Sequence, residues 1–252
     1  MSIFDELLIT IDDQQSLNTE TLNGFFPNVS RQQLSSTIGR LIGRGWLATP
    51  KLNGQEKYQL TKEGNAYINA VLGVIRVREE PWSGEWFWLV ASLPESKRRE
   101  RDLLRIELNR QGFGRLIDGL YLHPRDQKVL IADLIRRFGI GSSVYIFENK
   151  HLGQGTNQIL INQAWNWPVL AANLESYLKT ARPELEQIIA DSTNLRDQEA
   201  RAKLRLQAKK LVFTYGQILV GDPNLPIEFV PIKNPYLEGQ QFYQEIRRYC
   251  YL

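Results

Sequence analysis

The stretch Glu85-Trp86-Phe87-Trp88-Leu89-Val90-Ala91-Ser92-Leu93, closed by Pro94, decides the fold. At this length it is too apolar and aromatic for anything but a buried strand. Residues 96–111 follow as a charged amphipathic helix ended by Gly112, and residues 113–117 and 120–123 are short strands hinged at Asp118-Gly119, a hairpin. Residues 125–138 place Val129, Leu130, Leu134 and Ile135 at helical spacing, and Val144-Tyr145-Ile146-Phe147 is a β-branched and aromatic last strand. The order βαββαβ over residues 85–150 predicts a ferredoxin-like domain, two helices on one face of a four-stranded antiparallel sheet.

Working outward to the N-terminus, Ile3, Leu7, Leu8 and Ile11 recur at helical spacing, and Asn18 can cap a second helix over 19–25. Pro27-Asn28 interrupts the pattern. Ser30 then offers an N-cap for a third helix to about Gly43, with Leu34, Ile38, Leu41 and Ile42 expected inward and Gly45 as the stop. Trp46-Leu47 opens an extended run, Asn53-Gly54 supplies a turn, Tyr58-Gln59-Leu60-Thr61 returns, and Thr61 caps a further helix to about Val71. Residues 1–75 are therefore expected to form a winged helix-turn-helix, with a linker over 76–84. Beyond residue 150 the pattern is mainly helical, over 167–180, 182–195, 199–220 and 239–251, with a proline-rich interruption over 222–235. The fold class expected is α+β, with a helical C-terminal domain over 151–252.

Composition narrows the function classes. Of the 252 residues 42% are hydrophobic and 23% charged, and no apolar run is long enough to span a bilayer. The acidic start Met1 to Asp13 does not resemble an export signal, so a cytoplasmic protein is expected, at the nucleoid when bound to DNA. A single cysteine, Cys250, and two histidines, His123 and His151, predict no disulfide, no metal site and no cofactor. A net charge of +3 and a pI near 8.9 are only mildly basic, so a nucleic-acid reading must rest on where the charge sits.

It sits on the third helix. Residues 31–44 hold three arginines and no acid. A helix entering the major groove needs donors that reach base edges and phosphates, and Ser30, Arg31, Gln32, Ser35, Ser36 and Arg40 supply them. Lys51, Asn53 and Lys57 on the hairpin would meet the DNA backbone. The plainer reading is a solvated helix face, or a winged helix that binds protein. Arg98, Arg101 and Arg105 belong to the densest positive run, which could hold phosphates of DNA or of a coenzyme A ligand, although internal ion pairing explains it too. Trp165 could stack on an aryl ligand, but tryptophan more often packs in cores. His123 has no nucleophile or carboxylate partner at a diagnostic spacing and reads as structural. No phosphate loop, paired-carboxylate or histidine metal motif is present, and no catalytic residue is assigned.

Four blocks make the chain similar to the phenylacetate-repressor (PaaX-type) family. They are Gly39-Arg40-Leu41 with Gly45-Trp46-Leu47, then Trp86 to Asp126 with Leu93-Pro94-Glu95 and Gly119-Leu120-Tyr121-Leu122-His123-Pro124-Arg125-Asp126, then Ala164-Trp165-Asn166-Trp167, and Asp222-Pro223-Asn224-Leu225-Pro226. Two departures stand out: Ser35 where the family often has arginine, and Asn234-Pro235-Tyr236-Leu237-Glu238-Gly239 in place of its Asp-Trp-x-Gly segment. The resemblance implies a Cas2-like middle domain, a repressor acting on double-stranded DNA as a homodimer, and release by a small acyl-coenzyme A effector. Nuclease-active Cas2 proteins carry an aspartate at the end of the first strand, where this chain has Ser92, so the resemblance implies a scaffold and not an enzyme. The readings held against it are a Cas2-like metal-dependent nuclease and a winged-helix protein adaptor.

Overall fold

The structure is a computed structural model that describes residues 1–52, 55–75, 82–149, 156–165, 167–193, 197–220, 222, 225, 226, 229 and 235–252. It divides into two compact units, one made of Met1–Ile75, Tyr177–Gln217 and Gln241–Leu252, the other of Arg76–Ser176 and Ile218–Gln240. The stretch 151–252, expected as one helical domain, is thus shared between the two.

The first unit opens with α1 (Ile3–Gln14), α2 (Thr19–Phe25) and α3 (Arg31–Gly43). Their starts are set by side-chain caps: Ser2 Oγ accepts from Asp5 N, Asn18 Oδ1 from Thr21 N and Ser30 Oγ from Gln33 N. Two short antiparallel ladders follow, β1 (Leu47–Ala48) with β4 (Gln59–Leu60), and β2 (Lys51–Leu52) with β3 (Gln55–Glu56). Next, α4 (Lys62–Leu72) is capped by Thr61, whose Oγ1 accepts from Gly64 N at 3.1 Å and donates to the Gly45 carbonyl at 2.6 Å. Gly64 has no room for a side chain, since a Cβ there would lie 2.3 Å from the Trp46 carbonyl oxygen.

One helix from far along the chain completes this core. From α9 (Gln198–Ile218), Leu206 and Phe213 pack with Leu7, Leu8, Ile11, Leu34, Leu41 and Ile68. The reason lies in α1, which is buried on every side: Ile9 and Thr10 are as covered as Leu7, Leu8 and Ile11. The acids of α1 meet the bases of α9. Arg205 clamps Asp13 through Nε at 2.7 Å and Nη2 at 3.1 Å, Lys209 Nζ lies 3.1 Å from Asp13, and Lys210 Nζ lies 3.7 Å from Glu6. Burial raises the Asp13 pKa, but the hydrogen bonds and charges of Arg205 and Lys209 outweigh it and hold the carboxyl below its ordinary range.

The second unit contains β5 (Trp86–Ala91), α5 (Arg98–Arg110), β6 (Gly114–Ile117), β7 (Leu120–His123), α6 (Lys128–Phe138) and β8 (Val144–Asn149). All pairings are antiparallel, in the order β6-β7-β5-β8, which is the ferredoxin-like order. Phe87, Leu89 and Ala91 of the central strand pack on Leu104 and Leu108 of α5 and on Ile131 and Leu134 of α6. On the opposite face Trp86 is fully buried, its Nε1 donates to Asn157 Oδ1 at 3.1 Å, and it lies beside Trp165 and Phe229.

Three local expectations are corrected. The sequence shows no helix over 157–164, yet α7 (Asn157–Ala164) forms there, capped by Thr156 and burying Leu160 and Ile161. Eight residues give too few turns for a periodic signal. The helices expected over 167–180 and 182–195 are one, α8 (Trp167–Ser192), running through Pro183. An interior proline costs about 3 kcal/mol. Against that, Leu174, Leu178, Ala181, Leu185 and Ile188 form a continuous buried stripe. Ile42 is 40% exposed instead of inward, because the buried arc of α3 is centred on Leu34, Ile38 and Leu41 and extends to Thr37 on the side away from Ile42.

The chain continues into α10 (Pro235–Ile246). Among the described residues no helix is long and apolar enough to cross a membrane.

Candidate nucleic-acid interface

At about 100° per residue, the buried side of α3 is defined by Leu34, Thr37, Ile38 and Leu41. The opposite arc is centred on Gln32, Ser36, Gly39 and Gly43, with Arg31 and Ser35 on one flank and Arg40 on the other. All of these are exposed. Of the residues singled out from the sequence, Arg31, Gln32, Ser35, Ser36 and Arg40 therefore share one face, while Ser30 precedes the helix as its cap. Arg40 Nη2 donates to Thr37 Oγ1 at 3.0 Å, and Thr37 Oγ1 donates to the Gln33 carbonyl at 2.8 Å, which steadies the base of the Arg40 side chain. Ser30 is occupied as the helix cap.

The third arginine of this region is engaged elsewhere. The Arg44 guanidinium stacks 5.0 Å from the Phe4 ring and 5.6 Å from the Trp46 ring, so it anchors the C-terminal end of α3 to α1. Trp46 in turn stacks on Tyr67 at 4.4 Å.

The sequence reading missed the two glycines. A Cβ at Gly39 or Gly43 would meet nothing within 4 Å. Each glycine in a helix interior costs about 1 kcal/mol relative to alanine, and no intramolecular contact here requires it. Their effect is a helix face whose backbone another molecule can approach closely. The signal was legible as two glycines four residues apart on an otherwise polar arc.

On the hairpin, Lys51 is exposed and Lys57 half-buried; Asn53 lies outside the described residues. Lys51 stands opposite Glu56 in the β2–β3 register, a partially compensating charge that the sequence reading did not weigh.

In the second unit, Arg98, Arg101 and Arg105 line one hollow together with Tyr121, while Arg105 and Tyr121 also line a second cleft with Trp165. Trp165 is largely buried, with its Nε1 donating to the Gly112 carbonyl at 2.9 Å and its ring against Gly114, where a Cβ would come within 2.6 Å. His123 is buried, and its Nδ1 accepts from the Arg125 backbone N–H at 3.1 Å. Ser92, just past β5, is exposed, and its backbone N–H bonds the Ser143 carbonyl. A hydroxyl there brings no carboxylate charge to a metal. Among the described residues no group of three or more His, Cys, Asp or Glu side chains could hold a metal ion.

Residues 79–161 match the profile of the PaaX protein central Cas2-like domain. The chain is also 24% identical, over 201 residues covering 78% of its length, to the transcriptional repressor PaaX of Escherichia coli (strain K12). Both matches make the chain similar to PaaX-type regulators. The match spans 61% of the E. coli protein, a little under two thirds. Among solved structures, the uncharacterized protein Rv0674 from Mycobacterium tuberculosis superposes on this chain with a TM-score of 0.56 at 18% identity, covering 97% of this chain and 92% of that one. That likeness concerns the fold.

Proposed function

We propose that this protein is a transcriptional repressor of the PaaX type whose first unit uses α1–α4 and the β1–β4 hairpin as a winged helix-turn-helix on double-stranded operator DNA. The observation that carries the reading is the outward face of α3: two exposed arginines, Gln32 and two serines around two open glycines, with no acid on the helix. Arginine and glutamine hydrogen-bond purine edges in the major groove, each good bidentate pair being worth about 1–3 kcal/mol of base discrimination, and the glycines let the backbone come close to the groove. Lys51, Asn53 and Lys57 on the wing, and Ser30, add contacts to phosphates.

A homodimer would place two such helices on half-sites separated by multiples of roughly 10 bp. An acyl-coenzyme A effector that prefers a DNA-incompetent arrangement would release it. Such a protein works in the cytoplasm, at the nucleoid. The name of the E. coli relative supports the repressor reading.

The test is a mobility shift of the full chain on the DNA upstream of its own gene against unrelated DNA of equal length, across a salt series. Preferential binding that persists at moderate salt is expected. Equal, salt-labile retention of both fragments would sink the operator reading in favour of a winged-helix adaptor.

A further inference from the structure

The two faces of the second unit's sheet are covered unequally. Phe87, Leu89 and Ala91 of β5 turn to α5 and α6, so Trp86, Trp88 and Val90 turn the other way. On that second face, the end that holds Trp86, Leu122 and Gly114 is closed: Trp86 and Leu122 are fully buried, and the Trp165 ring lies against Gly114. The opposite end is open. There the register sets Phe147 beside Trp88, Tyr145 beside Val90, Val90 beside Leu120 and Leu120 beside Ile117, six neighbouring apolar side chains with no charged one among them. Ile117 is 65% exposed, Tyr145 54% and Phe147 55%, while Trp88, Val90 and Leu120 are half-buried. Three exposed side chains of this size leave on the order of 400 Å² of apolar surface in water, the size at which such a patch on a soluble protein marks an interaction surface.

The strand at the margin of this patch is also unguarded. β6, the other edge of the sheet, has four residues and a register shift between Arg115 and Ile117, which discourages further pairing. β8 runs six residues in unbroken register with β5, and among the described residues no strand pairs with its outer side. Its acid, Glu148, turns to the helix face and is bonded to Lys128. A nucleic acid on the open face would need cations along its backbone, whereas Arg98, Arg101 and Arg105 belong to α5 on the covered face. A copy of the same patch needs none: a two-fold axis sets uncharged surface on uncharged surface, and no unpaired charge is buried. Two such patches supply about 800 Å², the apolar centre of the roughly 1,200–2,000 Å² that a stable pair buries.

We propose that the open half of this sheet receives a second copy of the chain, sheet face against sheet face, with Tyr145 and Phe147 at the centre of the contact. The proposal rests on the homodimer reading above and gives that dimer its surface. The joint is then made by the second unit, and the residues assigned to DNA, which belong to the first, take no part in it.

The test is analytical ultracentrifugation of the full chain over a concentration series, on wild type and on the double variant Tyr145→Glu, Phe147→Glu, with Val129→Glu as a control because Val129 is 88% exposed on α6. Wild type and the control are expected to sediment as dimers. The double variant is expected to raise the dimer dissociation constant at least about a hundredfold, with an unchanged far-ultraviolet dichroism spectrum, since both side chains already face water. If the two acids disturb that spectrum, Tyr145→Ser, Phe147→Ser is measured in their place, with the same expected loss of the dimer. A double variant as dimeric as wild type would overturn this surface while the homodimer reading stands. A wild type that is monomeric at every concentration, with or without upstream DNA, would remove the homodimer reading and the surface together. If that monomer bound oligothymidylate and the double variant did not, the face would belong to single-stranded nucleic acid instead.

Discussion

At Gly39 two demands oppose each other. The residue sits on the exposed arc of α3 with open space around it, so Gly39→Ala should stabilise the fold by about 0.5–1 kcal/mol. The added methyl would stand on the face assigned to DNA, so operator affinity should fall several-fold; urea melts and binding isotherms on the same variant test both halves. A variant that gains stability with unchanged affinity would remove Gly39 from the interface. Gly64 is the opposite case. With the Trp46 carbonyl 2.3 Å from where its Cβ would stand, Gly64→Ala should destabilise by about 1–3 kcal/mol, and a melt at wild-type stability would contradict the packing described for α4. Cap residues such as Ser30 and Thr61 were legible in the sequence because their chemistry is local. The open space at Gly39 and the closed space at Gly64 were not, because both depend on what a distant segment does.

At the scale of elements, the α1–α9 pairing makes a pH prediction. The Asp13 carboxyl is held below its ordinary value of 3.8, so the stability it contributes is complete above that value. It is lost as pH falls through and below it. Thermal melts should therefore show an acid-side decline that Asp13→Asn flattens, and at neutral pH that variant should lose roughly 3 kcal/mol by leaving Arg205 and Lys209 without their shared partner. An acid limb identical in wild type and variant would mean that the cluster contributes nothing measurable. The sequence showed α1 as an amphipathic helix because Leu7, Leu8 and Ile11 gave the period. Ile9, off that stripe, was the sign that a second partner was needed, and identifying α9 required a pairing some 190 residues apart, beyond any periodic signal. The ferredoxin-like order was legible for the converse reason: each of its elements is short, sequential and punctuated by Gly112, Gly119 or Gly139, whose positive φ values end one element and start the next.

At the scale of the whole molecule, division into units follows buried surface instead of chain order. Residues 151–252 read as one helical domain, but α8, α9 and α10 each contribute residues to both units. The candidate interface itself was largely readable, since helical spacing alone puts Arg31, Gln32, Ser35, Ser36 and Arg40 on one face; the structure added the open space at Gly39 and Gly43 and the engagement of Arg44 by Phe4 and Trp46. The central claim is that this face holds operator DNA. Its most direct test compares wild type with the double variant Arg31→Ala, Arg40→Ala for the salt dependence of binding to the upstream fragment. If both arginines neutralise phosphates, the double variant should bind more weakly and the slope of log affinity against log salt should become shallower by about 2. If they read bases instead, affinity for the operator should fall while binding to unrelated DNA holds. Unchanged affinity and an unchanged slope would contradict the assignment of α3 to DNA.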